Sequence, residues 1–332
     1  MKIAILSDSW LPLANGVVTT LTTMIPALEA RGHTVMVIHP GLFPTIPCPT
    51  DSEIRLAVFF RHRLARLLDG FRPEAVHLVI EGPVGLAGRH YCLKRGLPFS
   101  TSFTTKFPEH INARLPIPVG PIYRMLRWFH RKAARTTVAT PSLKQDLEER
   151  GFKNLVYWGR GVDTDLFKPG PKAIMDYPRP ISLNVGRVAA EKNLKAFLDL
   201  ELPGTKLVIG DGPALPKLRR KYPDVRFLGR KTGQDLAQHM AAADLFVFPS
   251  LTDTFGVVMI EAMACGLPVA AFPVIGPLDI VVHGRTGYLD NDLQTAAEKA
   301  LPMDTNHCRE HAMKYTLEKC FDQFEAALVR IR

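Results

Sequence analysis

The chain has 332 residues, of which 46% are hydrophobic and 22% charged, and its net charge is +10. This length suits two α/β domains, and the composition is that of an ordinary globular protein. No apolar run reaches the roughly 18 residues of a transmembrane helix. The five cysteines are scattered and form no CxxC pair, which disfavours a zinc site and predicts reduced thiols in a cytosolic protein.

Almost all of the positive charge lies in the first half of the chain. Residues 1–168 hold 22 Lys and Arg against 13 Asp and Glu, whereas residues 169–332 hold 20 against 19. Such asymmetry favours an anionic partner, either a phosphate-rich membrane surface or nucleic acid. The chain contains no nucleic-acid recognition module, so we expect no nucleic-acid partner.

Strand-like apolar runs alternate with helical patterns along the whole chain, which predicts parallel sheets covered on both faces. The Pro-rich residues 169–180 are the expected linker. We therefore predict two doubly wound domains, 1–168 and 169–314, with a cleft between them, and a final helix in 315–332 that packs back on the first domain. Predicted strands are 3–7, 34–39, 75–79, 138–140, 181–185, 206–209, 225–228, 245–248 and 269–272, and predicted helices 19–30, 121–135, 142–148 and 317–330.

Three polar positions stand out in the loops of the first domain. Asn15-Gly16 predicts a tight turn whose glycine lets the backbone approach a ligand, and an ordinary βα loop is the alternative. Glu81 follows a predicted strand and either contacts an acceptor hydroxyl or caps the next helix. Asp163, in a run of small residues before the linker, is expected to cap a turn.

The predicted helix 121–135 has a basic face and an apolar face. The arginines at spacings of three and four are Arg124, Arg127, Arg131 and Arg135. The apolar residues on the other side are Ile122, Met125, Leu126 and Phe129. The basic face is either the solvated side of an ordinary amphipathic helix or a surface for anionic lipid headgroups, where each cation contributes about 1 kcal/mol.

Two cations follow the first strand of the second domain. The strand ends at Gly186, Arg187 lies in the loop, and Lys192 comes near the next helix. A guanidinium fork and a compact ammonium at the carboxyl end of a strand suit a diphosphate, and two solvated cations are the alternative. After the next strand, Gly210 and Gly212 begin a GxG pattern that does not continue, which disfavours a nicotinamide-dependent oxidoreductase.

Two carboxylates, Asp253 and Glu261, flank a Phe255-Gly256 step and an apolar run. Asp253 is predicted in a loop at the carboxyl end of a parallel strand, where open α/β sheets bind ligands. Amides near Gly256 could face an anion at the helix N-terminus. A helix cap and a solvated face are the alternative, but Glu261 lies among apolar residues and needs a partner.

Together these motifs resemble glycosyltransferase family 4, which comprises retaining, nucleotide-sugar-dependent enzymes of the GT-B fold. The similarity rests on the early Gly loop, the Gly186–Lys192 segment, Gly210–Pro213, Phe227–Arg230 and the acid pair. It spans nearly the whole chain. The runs 81–85 and 158–167 most resemble a subgroup of bacterial α-mannosyltransferases and diacylglycerol glycolipid synthases.

The resemblance implies a role for each matching residue. Arg187 and Lys192 would hold the donor diphosphate and stabilise the leaving nucleotide. Asp253 would hold hydroxyls of the donor sugar, and Glu261 the ribose. The other implied donor contacts are Gly16, Gly186, Gly212, Arg230, Thr254, Phe255, Gly256, Val257 and Val258. The nucleotide sugar is a co-substrate, and no cofactor or metal is expected.

Two positions depart from the family pattern. Asp253 stands where most relatives have Glu, and Thr104 stands where they have a His near the reacting sugar; threonine cannot take a proton at neutral pH. We expect hexose transfer to a lipid such as diacylglycerol, by a cytoplasmic protein that is peripheral at the inner membrane face. The alternatives are a sugar acceptor in polysaccharide or lipopolysaccharide synthesis, and a nucleotide-sugar-binding protein weakened by Thr104.

Overall fold

A computed structural model describes residues 1–12, 15–48, 51–114 and 117–331. The chain divides into two compact units. Unit 1 comprises Met1–Pro108, Pro118–Gly159 and Phe321–Arg332, and unit 2 comprises Glu109–Ile117 and Arg160–Cys320. The division after Gly159 precedes the linker expected from the sequence, and the chain rejoins unit 1 at Phe321.

Strands and helices alternate along the described residues, as the apolar runs indicate. The strands are β1 Lys2–Leu6, β2 Thr34–Ile38, β3 Thr45–Cys48, β4 Asp51–Ala57, β5 Ala75–Leu78, β6 Ser100–Ser102, β7 Arg135–Val138, β8 Leu155–Tyr157, β9 Ile181–Val185, β10 Thr205–Ile209, β11 Arg226–Phe227, β12 Leu245–Phe248, β13 Val269–Ala271 and β14 Gly287–Leu289. The helices are α1 Gly16–Ala30, α2 Arg61–Phe71, α3 Pro83–Lys94, α4 Phe107–Arg114, α5 Val119–His130, α6 Pro141–Glu149, α7 Leu194–Leu198, α8 Leu215–Lys221, α9 Gly233–Ala242, α10 Val257–Ala264, α11 Pro277–Ile280, α12 Leu293–Ala300, α13 Thr305–Ala312 and α14 Leu317–Ala327.

Unit 1 is built on a parallel six-stranded sheet in the order β2-β1-β5-β6-β7-β8. Strands β3 and β4 form a separate antiparallel pair. Strand β1 has its sequence neighbour β2 on one side and β5 on the other, with Ile3 opposite Ala75. The direction of winding therefore changes between β1 and β5, and the loops that follow these strands flank a crevice at the carboxyl edge.

Unit 2 repeats this plan with a parallel sheet in the order β11-β10-β9-β12-β13-β14. Its winding changes between β9 and β12, where Leu245 pairs with Ser182 and Phe246 with Leu183. Strands β12 and β13 are buried at every residue, which explains why their runs are hydrophobic throughout rather than alternating. The loops that leave β9 and β12 carry the residues that the sequence singled out.

The predicted helix 121–135 is wrong at its C-terminal end. Helix α5 ends at His130, and Arg135 begins β7, where its guanidinium donates to the carbonyls of Ala326 and Leu328. The β-branched residues that follow Arg135 favour a strand. Met125, expected on the apolar side, is 48% exposed.

No helix within the described ranges is long and apolar enough to cross a bilayer.

Candidate active site

The two loops at the switch point of unit 2 are joined by an ion pair. Lys192, from the loop after β9, places its Nζ 2.8 Å from Oδ1 and 2.8 Å from Oδ2 of Asp253, in the loop after β12. The side chains are 31% and 21% exposed, so the pair is screened less than one on the open surface. The sequence placed both residues at this edge but did not indicate that they bind each other.

Lys192 keeps Asp253 ionised. Burial by itself raises the pKa of this carboxyl group, but the charge and hydrogen bonds of Lys192, with a smaller contribution from Ser250, hold the pKa below its ordinary value. His110 acts in the same direction through its charge. An ammonium has three donors, of which two face Asp253, so the third remains for an anion.

The glycines after β10 hold the Arg187 loop in place. A Cβ on Gly210 would lie 1.8 Å from the carbonyl oxygen of Gly186, and one on Gly212 would lie 2.5 Å from that of Val188. The Val188 N–H also donates to the Asp211 carbonyl at 2.9 Å. The GxG pattern therefore lets two neighbouring loops touch through their backbones, which fixes the segment that presents Arg187.

Helix α10 begins at the end of the Asp253 loop. Its N-cap residue is Gly256, at a φ of +83°, a left-handed conformation that favours glycine. Phe255 is buried and packs edge-on against Tyr315. The half-buried Val257 and Val258 form the first turn of α10, whose amides have no acceptor within the helix. This arrangement matches the predicted strand, loop and helix entry.

Glu261 lies in the middle of α10 and has no hydrogen bond or ion pair to its carboxyl group among the residues that the structure describes. Burial raises its pKa to about 7. A half-buried carboxyl group without a partner costs stability. The partner that the sequence led us to expect is therefore not found among the described residues, and the carboxyl group of Glu261 can accept hydrogen bonds from a ligand.

The other predicted donor residues are distributed around this edge. Thr254 is half-buried in the Asp253 loop, and Arg230 is exposed in the loop after β11. Gly229, beside Arg230, accepts from the Gly210 N–H at 2.8 Å, which links this loop to the glycine turn. All these residues belong to unit 2, whereas Gly16 belongs to unit 1.

Arg309 is a structural residue of unit 2 that the sequence interpretation missed. Its guanidinium donates to the Ala264 carbonyl at the C-terminus of α10, and to the carbonyls of Thr164 and Phe167. It therefore fixes the end of the helix that carries Glu261 and complements its dipole. Thr164, whose carbonyl accepts from Arg309, follows Asp163. The turn predicted at Asp163 is present, because Asp163 Oδ1 accepts from the Asp165 and Leu166 amides.

In unit 1, the proposed helix cap by Glu81 is wrong. Asp8 takes that place, because its carboxylate accepts from the Val84 and Gly85 amides at 2.8 and 3.0 Å. Burial raises the pKa of Asp8 to about 6. Glu81 instead pairs with His130 Nε2 at 2.9 Å.

The tight turn expected at Gly16 is also absent from the described residues. Asn15 is the N-cap of α1 and accepts from the Val18 amide, and Gly16 is the first residue of the helix. Thr104 is half-buried just beyond the carboxyl end of β6. These placements put both residues near the carboxyl edge of the unit 1 sheet, and their predicted roles in ligand binding remain predictions.

Two family models match the chain: one described as Glycosyltransferase Family 4 over residues 14–166, and one described as Glycosyl transferases group 1 over residues 179–303. A GDP-mannose-dependent alpha-mannosyltransferase of Mycolicibacterium smegmatis is 31% identical over 95% of this chain and 90% of its own. An alpha-monoglucosyldiacylglycerol synthase of Streptococcus pneumoniae is 24% identical, over 96% and 82%. The structure of HepE from Anabaena, in complex with UDP, has a TM-score of 0.72 at 18% identity, over 98% of this chain and 99% of HepE. The fold is GT-B.

Proposed function

Because the chain belongs to glycosyltransferase family 4, we propose that it transfers a hexose from a UDP- or GDP-linked sugar to a lipid hydroxyl, such as that of diacylglycerol. The transfer retains the anomeric configuration and needs no metal. The observation that carries the proposal is the Lys192–Asp253 pair at the switch point of unit 2. In the same unit, the carboxyl group of Glu261 has no partner among the described residues.

Lys192 and Arg187 bind the donor diphosphate. The third N–H of Lys192 donates to a phosphate oxygen while the other two stay on Asp253, so that the ammonium need not leave its ion pair. Arg187 lies on the loop that the glycine turn fixes and offers a bidentate fork. As the glycosidic bond breaks, these cations stabilise the negative charge that develops on the leaving nucleotide.

Asp253 and Glu261 bind hydroxyl groups at the two ends of the donor. The ionised Asp253 carboxylate retains lone pairs beyond those used by Lys192 and accepts from hydroxyls of the sugar. Glu261 accepts from the ribose, which supplies a partner that none of the residues described by the structure provides. Between them, the first amides of α10 face the diphosphate, as helix N-termini do with anions.

Fixed cations take the part that a divalent metal ion would play in neutralising the diphosphate. No cluster of three or more His, Cys, Asp or Glu side chains placed to hold a metal ion occurs in the described part of the chain. Retained activity in excess EDTA would support metal-independent transfer, and a loss that Mg²⁺ or Mn²⁺ restores would contradict it.

The lipid acceptor is supported by the exposed side of α5. Arg124, Arg127 and Arg131 are exposed there together with Met125 and Trp128, which are 48% and 43% exposed. Cations interleaved with an aromatic and an apolar side chain suit the headgroup region of an anionic bilayer. One relative's name specifies diacylglycerol. We propose in addition that the protein is cytoplasmic and peripheral at the inner membrane face.

A nucleotide-sugar-binding protein with weak transfer is a second candidate, and Thr104 favours it. A hydroxyl there can hydrogen-bond but cannot take a proton at neutral pH. Binding of the donor without turnover, and turnover gained in Thr104→His, would support this candidate. Comparable rates in the wild type and Thr104→His would contradict it.

The proposal is tested with GDP-mannose and UDP-glucose as donors and anionic vesicles that contain dioleoylglycerol. We expect a glycosylated lipid whose anomeric configuration, measured by NMR, matches that of the donor. Transfer to soluble sugars but not to the lipid would contradict a lipid acceptor and support a sugar acceptor. An Arg187→Ala variant that binds both donors as tightly as the wild type would contradict the assignment of the diphosphate site.

A further inference from the structure

A buried hydrogen-bonded chain in unit 1 ends at Glu81. His130 Nε2 lies 2.9 Å from Glu81 Oε1, and His130 Nδ1 lies 2.9 Å from the Thr101 hydroxyl. That hydroxyl in turn lies 2.9 Å from the hydroxyl of Thr136. The His130 side chain is 2% exposed and that of Glu81 12%, so only the carboxylate at the end of the chain reaches the surface.

The buried polar side chains of this hydrogen-bonded network lower the stability of the fold unless their hydrogen bonds are all made. Strand β6 lies inside a parallel sheet, where apolar residues are the rule, yet its residues are all polar and buried. His130 is enclosed by the rings of Phe103, Phe129 and Phe152. Buried polar groups are tolerated when every one is hydrogen-bonded, and such networks then fix side chains in one orientation.

What this network fixes is the carboxylate of Glu81. An ionised carboxylate only accepts hydrogen bonds, so His130 Nε2 is the donor, and in the neutral ring Nδ1 accepts from Thr101. Glu81 Oε1 is therefore occupied. No other hydrogen bond reaches this carboxylate from the described residues, which leaves Oε2 for a ligand.

The position of Glu81 is also that of a ligand-binding residue. It follows β5, which adjoins β1 where the winding of the sheet changes. Asp8, which follows β1, contributes a second carboxyl group whose oxygens are both held by amides of α3. Open α/β sheets bind ligands in the crevice at this edge. Two carboxyl groups disfavour an anion there and favour a hydroxyl, which can donate to them.

We infer that Glu81 binds a hydroxyl group of the acceptor through Oε2, and that His130 and Thr101 are positioning residues that hold its carboxylate for that contact. This inference rests on the proposed glycosyl transfer. It makes the crevice between β1 and β5 a specificity site for hydroxyl-bearing acceptors.

The test compares the wild type with Glu81→Gln and Thr101→Val. The amide of Gln keeps the size of the side chain but removes its charge and replaces one of its two acceptor oxygens by an NH2 donor. We therefore expect the acceptor KM to rise about 10- to 100-fold. Valine at 101 removes the hydroxyl that bonds to Nδ1 and orients the His130 ring, so the acceptor KM should rise about 3- to 10-fold. Affinity for GDP-mannose or UDP-glucose, measured by calorimetry, should stay within about twofold for both variants, since neither changes the donor site.

Ser102→Ala is the matched control. Ser102 lies on the same strand and its hydroxyl bonds to a different buried ring, that of His77, and to Thr137. The Ser102→Ala variant loses buried hydrogen bonds, as Thr101→Val does, but these bonds do not lead to Glu81. Its acceptor KM should therefore equal that of the wild type. If Ser102→Ala raised the acceptor KM as much as Thr101→Val does, general destabilisation would explain both effects, and the inference would be overturned.

The assay uses dioleoylglycerol in vesicles and, in parallel, methyl α-mannoside, because a sugar hydroxyl offers the same hydrogen bond. Transfer by Glu81→Gln with an unchanged KM for the acceptor that the wild type uses would overturn the inference and leave the proposed function standing. A wild-type protein that neither binds nor consumes either donor would overturn both.

Discussion

Lys192 and Asp253 are 61 residues apart in the sequence, yet Nζ of one lies 2.8 Å from both carboxylate oxygens of the other. The pair exists because β9 and β12 are neighbours in the sheet, so their outgoing loops meet at the carboxyl edge. The ion pair keeps Asp253 charged and leaves one ammonium hydrogen for an anion.

Breaking this pair should affect both stability and donor binding. We expect Lys192→Met to lower the free energy of unfolding by about 1–3 kcal/mol, because Asp253 loses the charge that compensates its burial. Donor affinity, measured by calorimetry, should fall about 10- to 100-fold. The double variant Lys192→Met/Asp253→Asn should recover stability, since no charge is left unpaired, but not donor affinity. Recovery of both would show that the pair is purely structural.

Glu261 should couple stability to pH. Burial raises its pKa to about 7 from 4.5, so the folded state holds a proton that the unfolded state has released. The free energy of unfolding should therefore fall as the pH rises from about 4.5 to 7, by at most roughly 3 kcal/mol, and then level off. Denaturant unfolding across this range should show the fall, and Glu261→Gln should remove it.

The same group should link donor binding to proton release. Ribose hydroxyls donate to the ionised carboxylate, so binding lowers the pKa of Glu261 and affinity increases from pH 6 to 8. Calorimetry near pH 6.5 in two buffers of different ionisation enthalpy should detect the released proton, and Glu261→Gln should release none from this position. Proton uptake by the wild type would contradict the ribose assignment.

Gly256→Ala should distort the start of α10. Alanine at a φ of +83° costs about 1 kcal/mol, and its Cβ would lie 2.6 Å from Met259 Cε and 3.1 Å from Phe248 Cζ. We expect a total loss of about 2–3 kcal/mol in chemical unfolding, with weaker donor binding. Gly233→Ala is the control, because Gly233 has a φ of +53° and nothing within 4 Å of a new Cβ. It should lose about 1 kcal/mol and bind the donor normally.

The exposed side of α5 should control membrane binding. Reversing the charges in Arg124→Glu/Arg131→Glu should reduce sedimentation with phosphatidylglycerol vesicles, because each cation near an anionic surface contributes about 1 kcal/mol. The control is Lys217→Glu/Arg220→Glu on α8, which reverses two exposed cations of unit 2 and so changes the net charge by the same amount. Equal losses in both proteins would indicate a nonspecific effect of net charge. Arg135→Gln should not weaken binding, since that guanidinium holds the end of α14.

The sequence alone was sufficient to predict the α/β class, two doubly wound domains and the loops that carry Arg187, Lys192 and Asp253. Apolar runs define buried parallel strands, and residues just after such strands must lie at the carboxyl edge. The sequence also led us to expect a partner for Glu261, because a carboxyl group among apolar neighbours is costly, but none of the described residues pairs with it. The predicted helix 121–135 is too long, because the regular spacing of arginines continues to Arg135 although α5 ends at His130.

Tertiary structure alone decided which polar groups meet. The Glu81–His130 bond joins residues 49 apart, and Lys192–Asp253 joins residues 61 apart. Strand β6 was not predicted at all, because its polar residues face partners that only the folded sheet provides. Local patterns reflect propensity and burial, whereas these contacts depend on the order in which strands pair, and that order is set by the packing of the whole unit.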